Sequence, residues 1–153
     1  FAKAAGATVY VTSRSQEKLA KALQYGADQG LLHDEDWVEA MGGEKVDVVI
    51  ESVGAATFDK SLDAVRRGGT IVTFGSSTGD LVTFDLRKFF YGQYTLKGST
   101  MGSFEEYGAM IRFVEEHDLH PVVDAVYPAE DFKAAFLRLE NAEQTGKIAL
   151  QIG

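Results

Sequence analysis

Residues 7–18 read ATVYVTSRSQEK, and the fold is decided there. Positions 8–12 form a short apolar run with β-branched residues, and Ser13, Arg14 and Ser15 make a polar cluster where it stops. A buried strand therefore ends and hands over to a helix. In open α/β sheets, ligands sit outside the carboxyl ends of the strands. Three groups suited to a phosphate meet at this end: the Ser13 hydroxyl, the forked Arg14 guanidinium, and Lys18 in the first turn of the next helix, whose N-terminal N–H groups favour an anion. An ordinary surface turn is the plain alternative for the same residues, and the rest of the chain decides between them.

Strand and helix signals alternate outward from this stretch. Residues 1–6, FAKAAG, read as the last turns of a helix with its glycine terminator. Ser15 caps a helix over 16–25 with Leu19, Ala22 and Leu23 on one face and Gly26 at its end. Residues 30–32 fit a short edge strand, and 35–41 fit one or two helical turns stopped by Gly42 and Gly43. Residues 46–50 give the strongest buried-strand signal, followed by a turn over 51–54. A helix over 57–67 carries Phe58, Leu62 and Val65 and ends at Gly68 and Gly69. Residues 70–74 are again a β-branched strand, with GSSTG at 75–79 beyond it. A short aromatic helix at 86–91, a strand at 94–99 and a capping box at Ser103 and Glu106 opening a helix to His117 complete the alternation. That order predicts a parallel, doubly wound α/β sheet. From His120 the pattern changes: Pro121 breaks the chain, 122–127 read as a strand, Pro128 introduces a helix with Phe132, Ala135, Phe136 and Leu139 in register, and 147–152 close as a strand.

The 153 residues, 45% hydrophobic and 25% charged, have the composition of one soluble globular domain with a sizeable core. A net charge of −8 argues against nucleic acid or an anionic membrane surface as partner. No apolar run approaches the roughly 20 residues needed to span a bilayer, and a cytoplasmic location is expected. Cysteine is absent, so there is neither a disulfide nor a thiolate metal site in these residues. His117 and His120, near Asp118 and Asp124, read as solvated histidines rather than metal ligands. Glu115, Glu116, Asp131 and Glu140 read as solvated helix faces. No nucleophile stands with a base, and no catalytic residue is assigned.

Six stretches in order, FAKAAGATV, SQEKLAKALQYGAD, VDVVIESVG, LDAVRRGGTIVTFG, LKGSTMGS and AFLRLENAEQTGKIAL, resemble the medium-chain dehydrogenase/reductase superfamily, in its zinc-type alcohol dehydrogenase and quinone oxidoreductase-like branch. The resemblance covers essentially the whole chain. It implies a Rossmann-type sheet binding a nicotinamide dinucleotide, with the first strand and glycine fingerprint of that family preceding Phe1. Residues 1–119 are then expected to be a truncated dinucleotide-binding domain. Residues 120–153 would be the return into a catalytic domain that carries the substrate site and, in zinc-dependent members, the metal. By the same resemblance Ser13 stands where NAD-using relatives have an acid on the ribose 2′-hydroxyl. An acid there would repel a 2′-phosphate, so Ser13 with Arg14 and Lys18 looks like the NADPH-using pattern. His33 corresponds to a ring near the adenine, Val53 and Gly54 to residues beside the ribose, and Gly75, Ser76, Thr100 and Met101 to residues offering backbone groups near the nicotinamide.

The expected activity of the parent protein is hydride transfer between NADPH and a small carbonyl, quinone or enone, with the present residues inactive on their own. A non-catalytic nucleotide-binding or structural member of the same fold is the alternative, and a methyltransferase is disfavoured by Ser13. A homodimer through the strand at 94–99 is expected, with that strand at a sheet edge. In the strand order 3-2-1-4-5-6 the absent first strand lies between 8–12 and 46–50. The sequence therefore predicts an open slot there: the two flanking strands would close together, a strand such as 147–152 or one from another molecule would fill it, or the 153 residues would fail to fold cooperatively.

Overall fold

The computed structural model describes all of residues 1–153. Seven strands and six helices alternate: β1 (Tyr10–Ser13), α1 (Gln16–Gln24), β2 (Gln29–Leu32), α2 (Trp37–Ala40), β3 (Val46–Glu51), α3 (Phe58–Ala64), β4 (Val65–Thr73), α4 (Leu86–Gly92), β5 (Thr95–Gly98), α5 (Phe104–Glu116), β6 (Val123–Pro128), α6 (Phe132–Glu140, after a 3-10 turn at Ala129–Asp131) and β7 (Lys147–Gln151). Contacts divide the chain into one unit of residues 1–30 and 104–153 and a second of 31–103.

The strands form three sheets, ordered β1-β2, β3-β4-β5 and β6-β7. Pairing of β3 with β4, β4 with β5 and β6 with β7 is parallel throughout, as the alternation of helix and strand requires. Both partial orders agree with 3-2-1-4-5-6 once its first strand is left out. Strand β1 pairs only with β2 and β3 only with β4, and β7, offered by the sequence as a filler, pairs with β6.

In the first unit, residues 1–7 make a helical turn closed by Gly6 N–H to the Lys3 carbonyl (2.9 Å) and Ala7 N–H to the Ala2 carbonyl (3.0 Å), the two bonds of a Schellman motif. Strand β1 starts two residues later than its β-branched run suggests. Val9 is held instead by Asp28, whose carboxylate accepts the Val9 N–H (2.7 Å) and pairs with Lys3 (2.9 Å). The Ser15 hydroxyl accepts from Lys18 N–H at 3.3 Å and caps α1, and Leu19 is the buried residue of that helix. In the C-terminal part Asp124 on β6 receives Arg138 of α6 (2.8 Å) and the Thr145 N–H (3.1 Å), tying strand, helix and following turn together.

The second unit holds a core of Phe58, Leu62, Val65 and Ile71, with Val49, Phe84, Phe89 and Tyr94 packed against it. Each fully buried aliphatic or aromatic side chain of this kind contributes roughly 1.5–3 kcal/mol. Three aromatic contacts, Phe58–Phe84, Phe84–Phe89 and Phe89–Tyr94, link α3 to β5 through centroid distances of 5.7, 5.3 and 6.0 Å. Helix α3 ends at Ala64 rather than at Arg67, and β4 starts at Val65 rather than at Thr70. Val65 is fully buried opposite Val46. Arg66 reaches Asp47 (2.6 Å) and Arg67 reaches the Tyr91 carbonyl (2.9 Å), contacts made from extended backbone.

Strand β3 shows two faces. Val49 joins the core, while Val48 and Ile50 on the opposite face are 51% and 64% exposed. No helix is long and apolar enough to cross a membrane.

Candidate nucleotide site at the strand ends

The expected site residues fall in both units. In the first, Ser13 ends β1 and its hydroxyl accepts the Ser15 N–H at 3.2 Å, which orders the strand-to-helix corner. Arg14, at that corner, is exposed and its guanidinium makes no hydrogen bond or ion pair within the protein. Its five donors are free for a ligand. Lys18 differs: its ammonium donates to the Ala142 carbonyl at 2.5 Å, just beyond the C-terminus of α6. A lysine there also meets the negative end of the helix dipole. Of the three residues grouped by sequence, Arg14 alone has an unengaged head group: the Ser13 hydroxyl accepts from Ser15 and the Lys18 ammonium donates to Ala142.

In the second unit the His33 carbonyl accepts from the Lys60 ammonium, which also bonds the Glu35 carbonyl (3.0 Å) and lies 5.4 Å from the centre of the Trp37 ring. Val53 and Gly54 follow β3, and Gly75 and Ser76 follow β4, so parallel pairing brings both turns to the same end of the sheet. The turns are clipped together. Thr78 N–H and Oγ1 both donate to the Val53 carbonyl (2.8 and 2.7 Å), Thr78 Oγ1 accepts the Ala56 N–H (3.0 Å), and the Gly79 carbonyl accepts the Ala55 N–H (3.3 Å). At Gly54, φ is +89°, and a Cβ would stand 2.6 Å from the Gly79 oxygen. Only a residue without a side chain fits this approach.

A carboxylate organises the first of these turns. Glu51, 3% exposed, accepts through Oε1 from the Val53 N–H (2.7 Å), the Gly54 N–H (3.1 Å) and the Thr57 hydroxyl (2.9 Å), and through Oε2 from the Ser61 hydroxyl (2.6 Å) and Thr57 (2.9 Å). Burial pushes its carboxyl up, but the hydrogen bonds from Ser61, the Val53 and Gly54 amides and Thr57 outweigh burial and hold it below the ordinary glutamate value. Sequence reading passed over Glu51 as part of a turn. The signal was present nonetheless: Thr57 and Ser61 stand one helical turn apart beside Phe58 and Leu62, hydroxyls on a face that is otherwise apolar.

The result is a division of labour. Both backbone groups of Val53 and of Gly54 are bonded inside the protein, since the Gly54 carbonyl takes Thr57 N–H and Phe58 N–H at 3.0 Å each. This turn therefore offers a ligand shape rather than hydrogen bonds. By contrast, the N–H groups of Gly75, Ser76 and Ser77 have no protein partner, and Ser76 Oγ donates to Asp80. Thr100 and Met101, beyond β5, likewise keep unpaired backbone groups; Met101 is 96% exposed with φ +54°. Free N–H donors at these strand ends are groups suited to the accepting atoms of a polar ligand.

For metals the residues offer less. No group of three or more His, Cys, Asp or Glu side chains comes together to hold an ion. His117 Nδ1 is 3.0 Å from the Phe113 carbonyl and His120 Nε2 3.1 Å from Asp118, while Asp124 turns to Arg138. These side chains do not fit a zinc ion.

The sequence profile of the family described as zinc-binding dehydrogenase matches residues 1–116. A zinc-type alcohol dehydrogenase-like protein of Schizosaccharomyces pombe is 31% identical over 163 residues, 99% of this chain and 47% of the relative. Among solved structures, an NAD-dependent alcohol dehydrogenase is similar with a TM-score of 0.88 at 36% identity, over 99% of this chain and 46% of that one. A 2-octenoyl-CoA carboxylase reductase in complex with NADP and 2-octenoyl-CoA is similar with a TM-score of 0.87 at 30% identity, over 98% and 39%. The chain spans about half the length of the relatives it matches.

Proposed function

Because the chain belongs to the zinc-binding dehydrogenase family of the medium-chain dehydrogenase/reductase superfamily, we propose that its protein is an oxidoreductase using NADPH to reduce a small carbonyl, quinone or enone. The observation that carries the cofactor choice is Arg14: an exposed guanidinium without a partner, beside Ser13 at the end of β1, where an acid would repel a 2′-phosphate. Similar structures include one described as NAD-dependent and one solved with NADP, so cofactor choice rests on this chain's own residues. The cofactor, when bound, supplies the hydride. The protein's part is to hold it. In the first unit Arg14 and Ser13 would hold the adenosine phosphate; in the second, His33 would supply a ring for the adenine. The 53–54 turn would pack against a ribose, and the free N–H groups at 75–77, with Thr100 and Met101, would meet the nicotinamide end.

The test is a pair of nucleotide titrations on the whole protein. A charge-assisted hydrogen bond of roughly 1.5–3 kcal/mol implies that Arg14→Ala weakens NADPH binding about tenfold or more and leaves NADH nearly unchanged. Equal losses for both nucleotides would remove the assignment.

A further inference from the structure

Glu51 has a property the proposed function does not use. It is a buried carboxylate with no cation beside it, compensated only by two amides and two hydroxyls. Burying an ion is costly, and a neutral side chain would cap the end of a strand with less desolvation. What the charge adds is geometry: four donors converge on two oxygens and fix the directions of the Val53 and Gly54 amides together. From there the constraint passes on. The Val53 carbonyl, aimed by that turn, takes both donors of Thr78, and Gly79 closes against Gly54. Thr78 directly follows Gly75, Ser76 and Ser77, whose N–H groups are free.

We propose that Glu51 is a positioning residue for the nicotinamide half of the cofactor: acting through the 53–54 turn and Thr78, it sets the direction of the unpaired N–H groups at 75–77. This rests on the reading that this end of the sheet meets a nicotinamide nucleotide. Glu51 touches no cofactor atom itself. Its isosteric amide keeps the volume but turns a two-oxygen acceptor into one oxygen and one donor, so Ser61 or the turn amides must give way.

The experiment compares Glu51→Gln and Thr78→Val in the whole protein, titrated with NADPH and with 2′,5′-ADP, which carries only the adenosine end. Glu51→Gln should raise the NADPH dissociation constant about tenfold and Thr78→Val about fivefold, the scale of one or two hydrogen bonds, with 2′,5′-ADP affinity unchanged. Glu51→Asp should not restore it, because a shorter arm cannot reach both amides and Ser61. Thr78 is exposed, so its variant gives a folded comparison if Glu51→Gln does not fold. Equal weakening of both ligands would mean general loosening and would overturn the inference, as would NADPH binding within twofold of the unaltered protein. If the unaltered protein binds neither nucleotide, the functional reading falls and takes this inference with it.

Discussion

Replacing Gly54 with alanine tests the clipped pair of turns most directly. At φ +89° an L-residue costs about 1–2 kcal/mol relative to its preferred backbone. The new methyl would also stand 2.6 Å from the Gly79 oxygen and 3.0 Å from the Ser76 Cα, both backbone atoms that cannot rotate aside. The two turns must therefore part. Parting them releases the bonds from Ala55 N–H to Gly79 and from Thr78 N–H and Oγ1 to Val53. At about 0.5–1.5 kcal/mol each these three bonds bring the expected loss to roughly 2.5–6.5 kcal/mol. Gly42→Ala is the control: φ is +71°, but a Cβ there meets nothing within 4 Å, so only the backbone cost of about 1–2 kcal/mol applies. Urea unfolding, read as a shift in midpoint at constant slope, separates the two. If Gly54→Ala proves no more destabilising than Gly42→Ala, the close approach of the turns is not what holds them.

Three further outcomes follow from particular contacts. Lys18→Met should weaken NADPH binding less than threefold, against tenfold for Arg14→Ala, because the Lys18 ammonium is bonded to Ala142; equal losses would return Lys18 to the phosphate site. Glu51 is held below the ordinary glutamate value of about 4.3, so its contribution to stability is complete above that pH and disappears as pH falls toward the folded value. Asp28, held low by Lys3, and Asp124, held low by the Thr145 amide and Arg138, act in the same direction. Glu51→Gln should therefore flatten, without abolishing, the acid limb of unfolding free energy measured from pH 6 to 3, and an unchanged slope would contradict this. Strand β5 pairs only with β4 and leaves its outer side open, which supports a homodimer through that edge; sedimentation as a monomer at micromolar concentration would count against it.

Strand ends and helix starts were legible because they depend on neighbours in sequence: β-branched runs stopping at Ser13 and Phe74, a serine hydroxyl three residues before the Lys18 amide. The end of α3 was not, because Arg66 and Arg67 are drawn into extended backbone by Asp47 and Tyr91, partners 19 and 24 residues away. The same limit applies to Lys18, whose partner lies 124 residues along the chain. Glu51 escaped for a different reason. A glutamate after an apolar run looks like the first exposed residue of a turn, and only the hydroxyls of Thr57 and Ser61 betray that it points inward.

Strand β3, VDVVIE, has a strand partner on one edge only and bares Val48 and Ile50 on one face. The consequence is colloidal. A proline-free strand paired on one edge only, with apolar side chains, is a template for adding a further strand from another molecule. Its single mid-strand charge, Asp47, is engaged with Arg66 and does little to repel a newcomer. The net charge of −8 slows encounters between molecules at low salt, and added salt screens that protection. Scattered light from the 153-residue chain should therefore rise with both protein and salt concentration, and a lysine at position 50, Ile50→Lys, should suppress the rise.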